Sequence, residues 1–429
     1  MLSRHTLPLR LTADPSRVAL RPFHLAWQSN DAEPGRAARL LDAVLALSDD
    51  EIHATLRLVL ADFETRHWMT ARVFLTRCAQ IAALLGRDLS GLSRERRQLI
   101  GAYFCHEYSY AAAALMNPSV VPHPDQSGLQ PGTCRIVLSL RAVGEGHISS
   151  IAFREGLIDE EGALDLFPEP PFATAAGAWH ADGTLGEVDG PVAIERHPDS
   201  SLSGTVLFPM TAAQRNGLED LRLTHFTHAD GTREYIGTYT AYSGRDIRSE
   251  LLRTTDFRSF TLAPIAGRAA RNKGMALFPR TVGGGYAMIG RQDGQNLFLL
   301  RSDALDRWED GELLLKPAYP WEFIQIGNCG PPIELDQGWL LLTHGVGAMR
   351  KYSVGAILLD KDDPSRVLAR SREPILAARN QDREGYVPNV VYTCGAMKIG
   401  DSLFVPFGLA DSAVGFAFAP IAEVLAALT

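Results

Sequence analysis

The chain has 429 residues, 46% hydrophobic and 21% charged, which are ordinary globular values and exclude disordered, collagen-like and coiled-coil classes. Its 42 basic residues are outnumbered by 50 acidic ones, a net charge of −8, so the basic face that nucleic-acid binding requires is not expected. An apolar run such as Tyr110–Met116 falls far short of the ~20 residues of a membrane-spanning helix, so no membrane partner is expected either.

The first ten residues carry basic groups but neither a continuous apolar stretch nor a cleavage site, unlike a secretory signal. Five scattered cysteines (Cys78, Cys105, Cys134, Cys329 and Cys394) form no Cys-x-x-Cys pair, a pattern expected of reduced thiols in a cytoplasmic protein without disulfides or a zinc cluster. The first third reads as helical. Leu40, Leu41, Val44 and Leu45 make one apolar stripe. Ser48-Asp49-Asp50-Glu51 is a capping box that opens a second helix, with Ile52, Leu56, Val59, Leu60 and Phe63 on one face. A third helix spans Val73 to Leu85 and stops at Gly86, and a fourth is expected from Ser93 to Leu115, with Pro118 just beyond. These stripes predict helix packing, with Arg94, Arg96 and Arg97 on a solvated face.

After Pro118 short β-type runs alternate with turn signals: 135–140, 204–208, 234–242, 286–289, 297–300, 339–343, 354–359 and 403–407. Gly283-Gly284-Gly285, Asp336-Gln337-Gly338 and Gly400-Asp401 supply reversals, and one short helix returns at 421–428. Leu252–Phe260 echoes Leu300–Trp308 at a distance of 48 residues, and turn-like stretches beginning at Gly274, Gly327 and Gly385 recur 53 and 58 residues apart. A period near 50 in an all-β region is the signature of propeller blades. The expected fold is therefore mainly β: a five-bladed β-propeller over residues 117–429, preceded by a strand and α-helical extension over 1–116. The helical region 25–115 is expected to mediate self-association, making a dimer or higher homo-oligomer.

Two groups of residues suggest chemistry. Asn216-Gly217-Leu218-Glu219-Asp220-Leu221-Arg222 places two acids and a guanidinium within four positions, either as a site or as a salt-bridged strand start. Cationic clusters at Arg271-Asn272-Lys273, Arg291, His344 and Arg350-Lys351-Tyr352 come from successive blades beside turns, where they would hold a small anion such as phosphate. His225 and His228 lack a third ligand nearby, so no metal site is expected.

From Asn117 to about Gly415 the chain resembles glycoside hydrolase family 130, the five-bladed propellers that include β-mannoside phosphorylases and some β-mannosidases. The resemblance rests on Asn117-Pro118, Asn216–Arg222, Tyr239–Tyr242, Ala276–Pro279, Gly330–Ile333, His344–Val346, Val354–Asp360, Val387–Val391 and Gly408–Asp411, in that order. It implies that Asp220 is the catalytic acid, protonating the glycosidic oxygen through the 3-hydroxyl of the bound mannosyl unit. Phosphate attacks from the other face and α-mannose 1-phosphate leaves with inverted configuration. It further implies that Arg291, His344, Tyr352 and Lys273 or Arg271 bind phosphate. Asn117, Arg141, Arg222, Tyr242, Arg245 and Asp411 would surround the mannosyl unit. No cofactor is needed beyond phosphate as co-substrate, and the partner is a β-1,2- or β-1,4-linked mannoside. The chain departs from the family at Leu221, often proline there, and at Gln325, where phosphorylases often carry lysine. The second departure keeps open a β-mannosidase with Glu322 or Glu384 activating water, and a non-catalytic glycan-binding propeller is a third reading.

Overall fold

A computed structural model describes residues 5–23, 35–177 and 190–429. Residues 1–4 of the expected leaderless start and 25–34 of the expected helical region lie outside the described residues. The described residues are mainly β, with four helices among them near the start of the chain and a short one, α5 (Ile421–Ala426), near its end.

Helices α1 (Arg36–Leu45), α2 (Asp49–Phe63), α3 (Thr70–Leu85) and α4 (Arg94–Tyr103) share a core of their own, built on Leu41, Val44, Ile52, Leu56, Ile81 and Leu99. The capping box opens α2 as its sequence predicts: Ser48 accepts from the Glu51 amide, and Glu51 accepts from the Ser48 amide at 2.8 Å. Gly86 closes α3 in the left-handed conformation, at φ 61°. Gly101 lets α4 press onto α3, because a Cβ there would lie 1.8 Å from the Phe74 carbonyl oxygen. Arg96 is not on a solvated face. It donates to the carbonyls of Val44, Leu45 and Leu47 at 2.8–3.2 Å, satisfying the open C-terminal end of α1.

The helix expected from Ser93 to Leu115 ends at Tyr103. Cys105–Ser109 pairs instead with Val18–Pro22 as a two-stranded ribbon, and Ala114–Pro122 is the first strand of the first large sheet. Tertiary pairing thus overrides the helical reading of 105–115, and the expected boundary at 116/117 falls inside a strand.

The rest of the chain forms antiparallel units, each built around about four strands. The first contains Ala114–Pro122, Thr133–Val143, Ser149–Asp159 and Leu164–Leu166. The second contains Gly217–Thr227, Arg233–Tyr242, Ile247–Thr254 and Ser259–Pro264. These two join into one eleven-stranded sheet, in which Gly217 pairs with Ser149. The third holds Ala276–Leu277, Tyr286–Gly290, Leu297–Ser302 and Glu312–Leu315. The fourth is built on Gln325–Asn328, Gly338–Val346, Tyr352–Leu359 and Val367–Arg370. The fifth is built on Val391–Tyr392, Ser402–Leu409 and Ala413–Pro420, and is completed by Leu11–Thr12 from the start of the chain. Seven of the eight expected β runs fall in these strands or overlap them, and the eighth, 204–208, overlaps Thr205–Leu207, a short strand that pairs with Ser149–Asp159 of the first unit.

Apolar clusters fill the contacts between successive units. Phe226 and Ile236 of the second unit meet Leu277 and Met288 of the third, and Phe278 and Ile289 of the third meet Trp339 and Leu341 of the fourth. Leu340 and Val354 meet Val405 and Phe407 of the fifth, while Phe404 and Phe416 pack on Leu138 and Leu140 of the first. Polar ties run alongside. The Leu223 amide donates to Ser119 Oγ at 3.2 Å, the Thr238 hydroxyl to the Met275 carbonyl, and Asn328 Nδ2 to the Ile289 carbonyl at 3.1 Å. The Tyr352 amide reaches the Asn389 carbonyl at 3.1 Å, and the Cys394 amide the Pro118 carbonyl at 2.8 Å.

Phe416 is fully buried between the last unit and the first. Phe416→Ala is expected to cost about 3–5 kcal/mol, whereas Leu58→Ala, at a position 65% exposed, should stay within about 0.5 kcal/mol. Urea denaturation of both variants checks this.

Candidate active site

One polar cavity of about 250 Å³ draws its walls from all five units. Its geometry begins with two irregularities in the first strands of the first two units. The pairing register shifts between Met116 and Ser119 and again between Glu219 and Arg222. Asn117 and Asp220 sit at these bulges with φ of 49° and 55°. Asn and Asp are the non-glycine residues that enter this region most readily. In a regular strand, neighbouring side chains point to opposite faces. The bulge breaks that alternation, so Glu219 and Asp220 both line the cavity.

Asp220 Oδ1 accepts from Asn117 Nδ2 at 2.7 Å and from Arg141 Nη1 at 3.2 Å. Arg141 is fully engaged: Nη2 donates to Glu219 at 2.7 Å and Nε to Ser149 Oγ at 2.9 Å. Arg222 donates to the Asp220 carbonyl at 2.8 Å and to the Tyr392 hydroxyl at 2.6 Å. Burial opposes the charge on Asp220, but Arg141, Arg222, Lys273 and the Asn117 amide outweigh it and hold the carboxyl well below its usual range. Glu219 is pushed upward by burial, with Arg141 acting against the shift. Asp411, at φ 48°, is pushed up to about 6, first by burial and then by the charge on Asp220.

A second cluster comes from the third and fourth units. His344 Nδ1 faces the Asn328 carbonyl at 3.1 Å and so carries the proton, leaving Nε2 to accept from Arg291 Nη1 at 3.3 Å. Burial, then the charge of Arg291, drives His344 well below its ordinary value, so the ring is neutral. His344 therefore orients Arg291 and does not serve as the cation expected from sequence. Gly327 makes room for the ring, since a Cβ there would come within 2.3 Å of it. Tyr352 stacks on the same imidazole at a centroid distance of 5.9 Å.

Of the residues singled out in the sequence, Asp220, Asn117, Arg141, Arg222, Asp411, Arg291, His344, Tyr352 and Lys273 all line the cavity. Five do not. Arg271 is exposed at the end of the turn Arg268–Arg271, two residues before the chain brings Lys273 inward. Tyr242 spends its hydroxyl on the Gly244 carbonyl at 3.3 Å, and Arg245 is exposed in the turn that Ser243 braces. Glu322 is fully buried elsewhere, bonded to Arg370 and to the amides of Ala318 and Tyr319. Glu384 is exposed and contributes nothing to the wall. Neither glutamate is placed to activate water in this cavity. The structure adds Asn328 and Tyr392, which no sequence signal marked. Arg350, offered in the sequence as part of an anion-holding cluster, also lines the cavity, as does Glu219, which was visible in its motif but carried no assigned role. Five cations (Arg141, Arg222, Lys273, Arg291 and Arg350) thus face three carboxyls (Glu219, Asp220 and Asp411).

A family model described as beta-1,4-mannooligosaccharide phosphorylase matches residues 190–429. Over 228 residues the chain is 34% identical to a 1,2-beta-oligomannan phosphorylase of Thermoanaerobacter sp. (strain X514), covering 52% of this chain and 75% of that protein. It is 35% identical over 206 residues to a beta-1,2-mannobiose phosphorylase of the same organism, covering 47% and 66%. The solved beta-1,2-mannobiose phosphorylase from Listeria innocua, in complex with beta-1,2-mannobiose, superposes with a TM-score of 0.52. The match covers 73% of this chain and 91% of that one, and at 20% identity it speaks for the fold alone.

Because Asp411 holds its proton more tightly folded than unfolded, its ionisation costs stability as pH rises from about 4 through about 6. Asp411→Asn, neutral throughout, should remove that loss. Between pH 4 and 7 the natural protein is expected to lose on the order of 2–3 kcal/mol more than the variant, as measured by urea denaturation across the pH series.

Proposed function

The chain belongs to glycoside hydrolase family 130, and we propose that it is an inverting phosphorylase that cleaves β-mannosides with inorganic phosphate to release α-mannose 1-phosphate. The observation that carries this reading is the charge of the cavity, five cations against three carboxyls. That surplus suits a phosphate dianion, which is already nucleophilic and needs placing more than activating.

In the reaction the bond from the anomeric carbon to the leaving oxygen breaks and a bond to a phosphate oxygen forms. Asp220 supplies the proton that the leaving oxygen takes up, relayed by the 3-hydroxyl of the mannosyl unit. Its carboxyl is ionised in the free site, so it takes up a proton before turnover. A bound phosphate dianion favours that step by offsetting the nearby cations that hold Asp220 ionised. Arg291, Lys273, Arg350 and the Tyr352 hydroxyl place the phosphate, with His344 fixing the Arg291 fork. Asn117, Arg222 and Asp411 contact the sugar, and Arg141 holds the carboxyls in position.

The two named relatives favour a β-1,2 linkage, whereas the family description names β-1,4. Gln325 on the cavity wall, neutral where the resemblance leads one to expect lysine, is the one observation on the hydrolytic side. Lys273 and Arg350 supply positive charge in its place. The five units are read as blades of one propeller, a reading that the ties between successive units support. The helical layer, with Leu58 and Leu84 exposed, is assigned to self-association, and placement in the cytoplasm is part of the same proposal.

Incubation of β-1,2-mannobiose with and without phosphate tests the reading. Mannose 1-phosphate should form only with phosphate, and equal release of free mannose in both would overturn it. Asp220→Asn should lower turnover by at least ~10²-fold. Arg291→Ala should raise KM for phosphate by roughly 10-fold or more while KM for the sugar changes far less; equal effects would make that arginine structural.

A further inference from the structure

We propose that Glu219 is a positioning residue that governs proton delivery by Asp220, through the Arg141 guanidinium that the two carboxyls share. The inference rests on the phosphorolysis reading above. Glu219 and Asp220 are consecutive, and only the bulge with its left-handed Asp220 backbone turns both into the same cavity. Arg141 then donates one Nη to each, at 2.7 Å to Glu219 and 3.2 Å to Asp220. The shorter bond goes to the residue that is not the acid. Ser149 fixes the third donor, so the fork cannot swing toward either carboxyl alone.

An acid in this reaction must be able to take up a proton between turnovers. A buried carboxylate with a guanidinium of its own would stay ionised, because the charge pair stabilises the anion. By drawing on Arg141, and by placing a second negative charge beside Asp220, Glu219 weakens that hold. The other groups acting on Asp220 come from every side of the cavity. Arg222 lies on the same strand, Asn117 on the first unit and Lys273 on the loop before the third. Asp411 approaches from the fifth unit, and Arg291 and His344 act from the third and fourth. Glu219 differs from all of these in being bonded to the same guanidinium as Asp220.

The test is the pH profile of kcat for phosphorolysis of β-1,2-mannobiose by the full chain. Activity needs Asp220 protonated, so it falls on the alkaline side. Glu219→Gln removes the negative charge and leaves Arg141 to Asp220, which moves the alkaline limb about one pH unit to lower pH. Glu219→Asp keeps the charge and should leave the limb in place even where kcat falls. The loss for Glu219→Gln should also be smaller on p-nitrophenyl β-mannoside, whose leaving group needs little protonation. If the Gln variant does not fold by circular dichroism, Glu219→Ala takes its place in the comparison. A limb that stays put in the neutral variant, or that moves equally in the Asp variant, overturns the proposal while leaving phosphorolysis intact. Absence of phosphate-dependent cleavage by the natural protein overturns both.

Discussion

Everything in this cavity is arranged around one buried negative charge. Asp220 lies almost wholly out of water, where an isolated carboxylate costs several kcal/mol. It stays ionised because Asn117 and Arg141 bond its Oδ1 while Arg222 grips its own carbonyl. Each of these supports needs a support of its own. Arg222 is anchored on the Tyr392 hydroxyl, and Arg141 on Ser149 and Glu219. The charge thereby ties the first, second and fifth units together, since removing any one partner leaves another buried polar group unpaired.

The backbone carries the matching cost. Among the described residues ten non-glycine residues have positive φ: Asn117, Asp220, Arg350 and Asp411 line this cavity, and Met349, Asn389 and Ala410 adjoin residues that line it. Such conformations cost on the order of 1 kcal/mol or more each and persist only where the surroundings over-determine them. Here the surroundings are long antiparallel strands with fully buried faces, such as Gly338–Val346. The strands are regular where they pack and irregular where they present side chains to the cavity. The cavity is also an assembly of five units, so the apolar clusters between units fix its dimensions. A change in packing at Trp339 or Phe416 is a change in how far apart the charged groups stand.

The Arg291 cluster follows a different logic. Arg291 is oriented by a neutral histidine, so the pair has a net charge of one and leaves that charge available to a ligand. A protonated His344, itself buried, would repel Arg291. The close approach permitted by Gly327 and the stacking of Tyr352 hold the imidazole in the one orientation that keeps Nε2 free to accept.

Local sequence determined much of this protein by itself. The capping box at Ser48, the stop at Gly86 and the eight β runs are short-range patterns, written in residues close together in the chain. The motif from Asn216 to Arg222 pointed to the carboxyl at the centre of the cavity for the same reason, since its members are neighbours. Tertiary structure alone decided the rest. It turned 105–115 from helix to strand by giving it partners at 18–22 and 133–143. It sent Glu322 to Arg370 and out of the cavity, left Arg271 and Arg245 in solvent, and brought in Tyr392, 170 positions from the Arg222 it anchors. It also made His344 a neutral acceptor. The physical reason is the same throughout: protonation, burial and pairing depend on which groups meet across units, and a strand's own residues do not say what will face it.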